Sequence, residues 1–565
     1  MTFAHMSLEE LLGPAPGELS PSSVGREGSP TVAAPVGDPL MIAGDAYEGA
    51  SRQSQELARW MPSMQSADAD IIPELDILGA RSRDLFRNDA YVSGGDRIHR
   101  DNIVGGQYLL NAKPKSKILF GSIDEVWDFE FQEEVEEKFM LWAESSHYWA
   151  DASRKSTFTE LVRLAVGVYL AGGEILSTAE WMPADGRPFR TAVQVIDTAR
   201  LSDPFDRQFV QDRVRAGVEI DRRGAPLAYY IRNYNPGDIR HPIDVDAYKW
   251  RRVPIRKPWG RLMVLHKFEQ RRPEQTRGTP YTVQMLKETR MGRKFRDMVL
   301  ENAIVNATYA ASIESELPQQ AFAALGGEDA IEGVVEPWLS AIREFSGGAK
   351  NLSIGGTKIP HLFPGTKLQL RPAGRGGPIG TDFERSVLRY MSAALGVSYE
   401  QLSKDFSNTN YSGYRGAMNE TRKFMNAQKK MAADTMANFI YRLWLEEAIS
   451  KNQIEVLKRP NIPNWYEGLN AEAYSHCQWI GAAQGQVDEL KETQAAILRM
   501  KSGLSTQEYE VARAHGGDWR EVNRQMQREK RMREELGLPS LVEDSSNMEN
   551  ALTATPNDRG VSDER

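Results

Sequence analysis

Two helical stretches bracket a short insertion of different texture, and any fold for this chain must accommodate that arrangement. The first stretch runs from about Tyr281 to Ile313, with Met285, Phe295, Met298, Ile304 and Val305 at its apolar positions, and Pro318 ends it. Unbroken, it would be on the order of 45 Å long at ~1.5 Å per residue. Residues 319–380 then hold a helical piece, "AIEGVVEPWLSAIREF", Gly-rich turns and the short strands "KNLSIGG" and "TKLQLRP". The second helix, "TDFERSVLRYMSAALG", carries Phe383, Val387, Leu388, Met391 and Leu395 on one stripe.

Upstream, residues 1 to about 75 are rich in Gly, Pro, Ser and Ala, too poor in periodic apolar residues to offset the entropy of ordering, and read as an extended arm. From Leu78 the chain reads as a charged helix, a Gly-Gly break at 94–95 and a second short helix running into "QYLLNAKP". "SIDEVWDFEFQEEVEEKFMLWAE" is an amphipathic helix with a Ser-x-x-Glu-like start at Ser122 and Val135, Phe139 and Trp142 on one face. "TFTELVRLAVGVYLAGGEIL" is a more apolar helix that Gly172-Gly173 would stop. Between 188 and 270 the period shortens to that of strands, and "GVEIDRRGAPLAYYI" reads as a hairpin, so an antiparallel sheet packs on these helices. After the second bracketing helix comes a Ser/Asn/Tyr-rich connector, "GVSYEQLSKDFSNTNYSG", then a long helix over about 413–450. From about 480 the chain is helical and charged, and 541–565 is an acidic tail.

The chemistry that would mark an enzyme is missing. "PAGRGGPIG" at 372–380 lies between a strand and a helix, as a phosphate loop would, but no Gly-Lys-Ser/Thr follows and Pro378 removes a donor. "NLSIGG" has Asn351 where a nucleophile elbow needs Gly, and the eight histidines show no metalloprotease spacing. The single cysteine, Cys477, excludes an internal disulfide and reads as a buried small apolar residue. No signal peptide or membrane span is expected, because the best apolar run, 161–176, contains Arg163 and is too short. The acidic cluster "EEVEEKF" at 133–139 reads as a solvated helix face, with a divalent-metal nuclease as the alternative. "KETRMGRKFR" supplies Lys287, Arg290, Arg293, Lys294 and Arg296. They could meet DNA phosphates, but interleaved Glu288 favours a mixed ionic surface. A net charge of −8 argues against tight, adhesive nucleic-acid binding.

The order of elements, together with "RDNIVGG", "RKSTFTELVR", "GVEIDRRGAPLAYYI", "QTRGTPYTV", "NATYAASIESELP", "GGTKIPHLFPG", "FERSVLRYMSAALGVSYEQLSKDF" and "CQWIGAAQGQVDELKE", resembles the portal proteins of lambda-type tailed phages over about residues 80–540. The resemblance implies an α+β subunit that assembles as a ring, with wing, two-helix stem, small α/β clip and helical crown. Outside it lie the flexible arm that composition gives, taken as 1–77, and the tail at 541–565; within it the resemblance places the wing at 78–280, first stem helix at 281–317, clip at 318–380, second stem helix at 381–397, channel loop at 398–413, wing return helix at 414–479 and crown at 480–540. Ser407, Asn408, Thr409, Asn410 and Tyr411 become candidate channel residues beside double-stranded DNA, and the five basic residues of 287–296 candidate stem cations.

The same resemblance implies a ring of twelve copies at one capsid vertex, with no cofactor, metal or catalysis. Its implied partners are the large terminase subunit, head-completion or adaptor proteins, major capsid and scaffold proteins. Its implied locations are the virion and, during assembly, the host cytoplasm. Short uncharged side chains suit a channel, because exchangeable hydrogen bonds let a duplex move without breaking tight phosphate–lysine pairs. A metal-dependent DNA-processing enzyme and another virion adaptor are the competing readings.

Overall fold

A computed structural model of the chain describes residues 48–51, 54–183, 186–204, 213–238, 249–308, 340, 351–354, 357–360, 379–485 and 488–538. Contacts divide the chain into residues 1–64 and 65–565. In the first unit a single 3-10 turn, Glu48–Ala50, is described. All that follows concerns the second.

Helices open it earlier than the arm expectation allowed. Ser66 caps α1 (Ala67–Ile71), and buried Asp68 accepts from the Thr276 N–H at 2.8 Å and pairs with Arg215 at 3.0 Å. These contacts pin residues that composition alone assigned to a flexible arm ending at 77. Helix α2 is Leu75–Asn88 and α3 is Ala90–Ile103. The break between them falls at Asp89, whose carboxylate caps α3, and the expected Gly-Gly break is instead inside α3. Gly95 serves close packing, since a Cβ there would come within 2.8 Å of the Leu395 side chain.

Strand β1 (Leu109–Ala112), α4 (Ser116–Phe120) and α5 (Glu125–Ala143) follow. Asp124, rather than Ser122, caps α5 by accepting from the Trp127 N–H. Its buried face runs Trp127, Phe131, Val135, Phe139, Trp142, a spacing of four, four, four and three that keeps to one side of a helix. Phe139 lies edge-on to Trp444 at 5.3 Å and to Phe158 at 5.2 Å, at the centre of the main core. Thr157 and Glu160 form the capping box of α6 (Phe158–Gly172), and Gly173 ends it at φ +81° as the sequence suggests.

The strand-rich region forms two small antiparallel sheets where one was expected. Strands β2 (Glu174–Trp181), β3 (Thr191–Ile196) and β8 (Val264–Phe268) lie in the order β3-β2-β8. Strands β4 (Val214–Arg215), β5 (Val218–Ile220), β6 (Pro226–Arg232) and β7 (Trp250–Pro254) lie in sequence order, with the expected hairpin between β5 and β6. A second core, with Leu176, Ile196, Ile220, Tyr229 and Ile231, joins the two.

A 3-10 turn, Tyr281–Met285, leads into α7 (Leu286–Thr308). Residues 309–313 and Pro318 lie outside the described residues, as do most of 318–380, where only the hairpin β9 (Asn351–Ile354) and β10 (Thr357–Pro360) forms a described sheet. Helix α8 (Ile379–Leu395) buries Leu388, Met391 and Leu395 from the expected stripe. It packs on α7 where Gly292 lets Val387 approach, and Phe295 meets Phe383 with ring centres 4.6 Å apart.

After α9 (Tyr399–Ser403), the long helix begins at Tyr411 and is not uniform: α10 (Tyr411–Gln428) passes through a π-helical turn, Lys429–Ala433, into α11 (Asp434–Ser450). The wider turn is braced by Lys429, which donates to Asp434 at 3.0 Å and to the Trp479 carbonyl at 2.8 Å. Helix α12 (Asn470–Tyr474) precedes β11 (Cys477–Ile480), which pairs antiparallel with β1. Cys477 is only half-buried, and burial pushes its thiol up to about 12, so it is an inert strand residue.

Helices α13 (Glu489–Lys501), α14 (Gln507–His515) and α15 (Trp519–Glu535) end the described chain. They attach to α5 through ions: Arg520 reaches Glu136, and Arg524 lies 3.3 Å from Glu133 and 3.2 Å from Glu137. Burial pushes the Glu136 carboxyl up to about 7 against the pull of Arg520. A carboxyl raised by folding binds a proton that the unfolded chain does not, so its contribution to stability is fullest below its ordinary value and declines as pH rises through about 7. Denaturation midpoints of the wild type should therefore fall from about pH 5 to about pH 7.5 more steeply than those of Glu136→Gln. Parallel pH profiles would remove Glu136 as the source.

Candidate nucleic-acid interface

The connector of the sequence analysis is less loose than its composition suggests. Ser398 and Gln401 form a capping box that starts α9, and Lys404 ends it in the left-handed region at φ +59°. Gly396, also left-handed at φ +67°, turns the chain out of α8 against the Phe424 ring, leaving no room for a Cβ. The polar loop proper is therefore residues 404–410, between two anchored ends.

Within it the predicted residues divide by role. Ser407 donates from its hydroxyl (2.6 Å) and its backbone N–H (3.1 Å) to Asp405, and these bonds hold that half-buried residue's carboxyl below its ordinary value. Asn410 caps α10, accepting from the Gly413 N–H at 2.7 Å. Thr409 is half-buried and sits 3.5 Å from a Glu400 oxygen. Asn408 is exposed and makes no side-chain hydrogen bond among the described residues, and Tyr411 is half exposed at the first turn of α10. Of the five predicted residues, Asn408 and Tyr411 are thus the ones that are exposed and spend no side-chain hydrogen bond among the described residues. Replacing Asn410 by Ala should cost about 1 kcal/mol through the lost cap, while Asn408→Ala should leave the thermal midpoint unchanged. Equal effects would mean that the cap does not form.

The five basic residues lie on the first half of α7, and no hydrogen bond or ion pair joins them to the loop among the described residues. Arg296 is committed elsewhere: it lies 3.4 Å from Asp89 and 3.7 Å from Glu384, over the Tyr91 ring. Its role is to tie α7 to α3 and α8. Lys287, Arg290 and Lys294 are exposed and Arg293 half-buried, none in an ion pair among the described residues. Sequence reading overlooked Arg415 and Lys423, cations on the helix that follows the loop, likewise without an ion pair among the described residues. The signal was there in "YRGAMNETRKF", where Glu420 is the one carboxylate.

The α5 carboxylates of the nuclease alternative are engaged by cations and backbone donors. Glu134 accepts from the Glu455 and Val456 N–H groups and pairs with Lys138, and Glu133, Glu136 and Glu137 meet α15. Among the described residues no group of three or more His, Cys, Asp or Glu side chains could hold a metal ion, and no helix is long and apolar enough to cross a membrane.

Comparison with known proteins identifies the family. The family described as "Phage portal protein, lambda family" matches residues 53–429. "Portal protein B" of Escherichia phage lambda is 34% identical over 514 residues, 90% of this chain and 94% of that protein. The "Portal protein" of Escherichia phage N15 is 34% identical over 487 residues, 86% and 89% of the two chains. Among solved structures, a chain from "Neck of empty GTA particle computed with C6 symmetry" covers 76% of this chain and 92% of its own at 12% identity and a TM-score of 0.35. The chain belongs to the lambda family of phage portal proteins.

Proposed function

We propose that this chain forms a ring of twelve copies at one capsid vertex, through whose channel double-stranded DNA enters during packaging and leaves at ejection. The observation that carries the ring is the surface of α7. Met291, Met298 and Leu300 are all more than half exposed, although the chain spends a 23-residue helix presenting them. Apolar residues left uncovered along one helix call for another copy to cover them. On this reading 78–280 is wing, α7 and α8 the stem, 318–380 the clip, 414–479 the return through the wing and 480–540 the crown.

Residues 404–411 then border the channel, with Asn408 and Tyr411 nearest the duplex and Arg415 and Lys423 behind them. The basic residues of α7 that remain unpaired among the described residues, Lys287, Arg290, Arg293 and Lys294, line the stem. The clip is the surface for the large terminase subunit and later for head-completion proteins, and the wing periphery for capsid and scaffold proteins. Assembly takes place in the host cytoplasm, and the mature protein is a virion component. Portal proteins are structural head–tail connectors, not enzymes, and packaging energy must come from a separate motor.

Negative-stain imaging with mass photometry tests the ring. Annular particles near twelve times 63.5 kDa are expected, and a chain that stays monomeric at high concentration would overturn it.

A further inference from the structure

We infer that the C-terminal helices α13–α15 obtain their apolar core from neighbouring copies of this chain, so that they pack stably only within the ring. The inference rests on the ring reading and deepens it. From Glu489 to Leu538 the buried side chains among the described residues are Glu510 and Arg520, both charged, and no apolar side chain there is buried. Helix α11 is the contrast, burying Phe439, Ile440, Leu443, Trp444 and Leu445 within one subunit. Meanwhile Leu498 is 64% exposed, Leu504 80%, Tyr509 60% and Met532 63%. Exposed apolar residues spread over three adjacent helices form the kind of surface that a partner covers.

What holds the three helices in a lone subunit is polar. Arg499 donates to both oxygens of Glu510 at 2.8 and 2.7 Å, Lys113 meets Glu508 at 2.9 Å, and Arg520 and Arg524 reach α5. Such contacts fix orientation and add little stability where water reaches them. They place the helices and leave their apolar faces free.

The occupant is a second copy. Residues 489–535 together carry ten Lys and Arg and nine Asp and Glu side chains, a mixed-sign surface that complements its own kind and repels a polyanion along nearly half its charges. Rotational symmetry sets the same helices of the next copy alongside, joining one face of a copy to a different face of its neighbour.

Hydrogen exchange read by mass spectrometry on monomer and ring fractions of the full chain tests this. Amides of 489–538 should exchange at least tenfold faster in the monomer than in the ring, while those of α11 stay slow in both. The double variant Leu498→Glu, Leu504→Glu should still give rings, through the rest of the subunit, whose 489–538 amides exchange as in the monomer. Rings in which 489–538 is no better protected than in the monomer, or a variant whose protection equals wild type, would overturn this inference alone. A wild type that never forms rings would remove the ring reading and this one with it.

Discussion

Replacing Arg277 by Leu should destabilise the folded subunit by about 3–5 kcal/mol, the cost of stranding a buried carboxylate whose partner is removed. Arg277 and Glu174 are both almost wholly buried. The guanidinium donates through Nε to Glu174 (3.0 Å), through one terminal nitrogen to the Leu201 and Ala216 carbonyls (3.0 and 2.7 Å) and through the other to the Thr198 carbonyl (3.1 Å). His266 and the Gly278 N–H complete the shell around the carboxylate. Arg277 thereby joins the first strand of one sheet, the loop before the other and the segment that leads into α7, so its loss would loosen the base of that helix.

Burial pushes the Glu174 carboxyl up, and Arg277 with His266 overrides it, holding the group far below the usual carboxylate range. The stability this supplies is present above the unfolded-state value and lost as pH falls through the folded one, so the variant should shed much of the wild type's acid-side pH dependence. Urea denaturation at neutral pH is the measurement. Arg277→Lys should fall between, since an ammonium has three donors and no planar fork. Glu174→Gln combined with Arg277→Leu should recover part of the loss, because no buried charge is then stranded. A single variant as stable as wild type would show that the pair is not the junction described.

The contrast between Arg277 and the stripe of α8 shows what could be read from the sequence. Leu388, Met391 and Leu395 repeat at helical spacing, and a periodic pattern states both the element and its buried face. Arg277 stands in a turn, "QTRGTP", where an arginine is ordinarily solvated. Its partner lies 103 residues earlier, and nothing local announces it. Strands β1 and β11 were missed for the same reason: four residues each, from distant parts of the chain, gain their identity only from one another.

Gly94-Gly95 misled in the opposite way. Glycine pairs usually break helices, but here the absent Cβ makes room for Leu395, a tertiary demand that overrides propensity. In the candidate interface, composition announced an exposed polar loop. It could not say that Asn410 and Ser407 are spent on the cap and on Asp405, leaving Asn408 free.

That division yields the second large effect, Asn408→Asp. The substitution exchanges an amide for a carboxylate of the same shape, touches no cap and no described hydrogen bond, and should leave ring formation and thermal stability unaltered. If residues 404–411 border the channel, each subunit would place a carboxylate beside the duplex. One carboxylate near one phosphate costs roughly 1 kcal/mol at ~4 Å even in water. A ring presents many copies to the same turn of DNA, so the summed repulsion exceeds the about 1.4 kcal/mol that corresponds to a tenfold change. The yield of DNA-filled heads in a packaging assay should fall at least tenfold, whereas Asn408→Ala, neutral and shorter, should stay within about twofold. The drop should shrink as salt is raised, because exposed charges are screened over about 10 Å at 0.1 M. Rings of normal appearance that carry Asn408→Asp in every copy and still fill as well as wild type would place the loop away from the DNA, and the channel wall would then have to be sought on Lys287, Arg290 and Lys294 of α7.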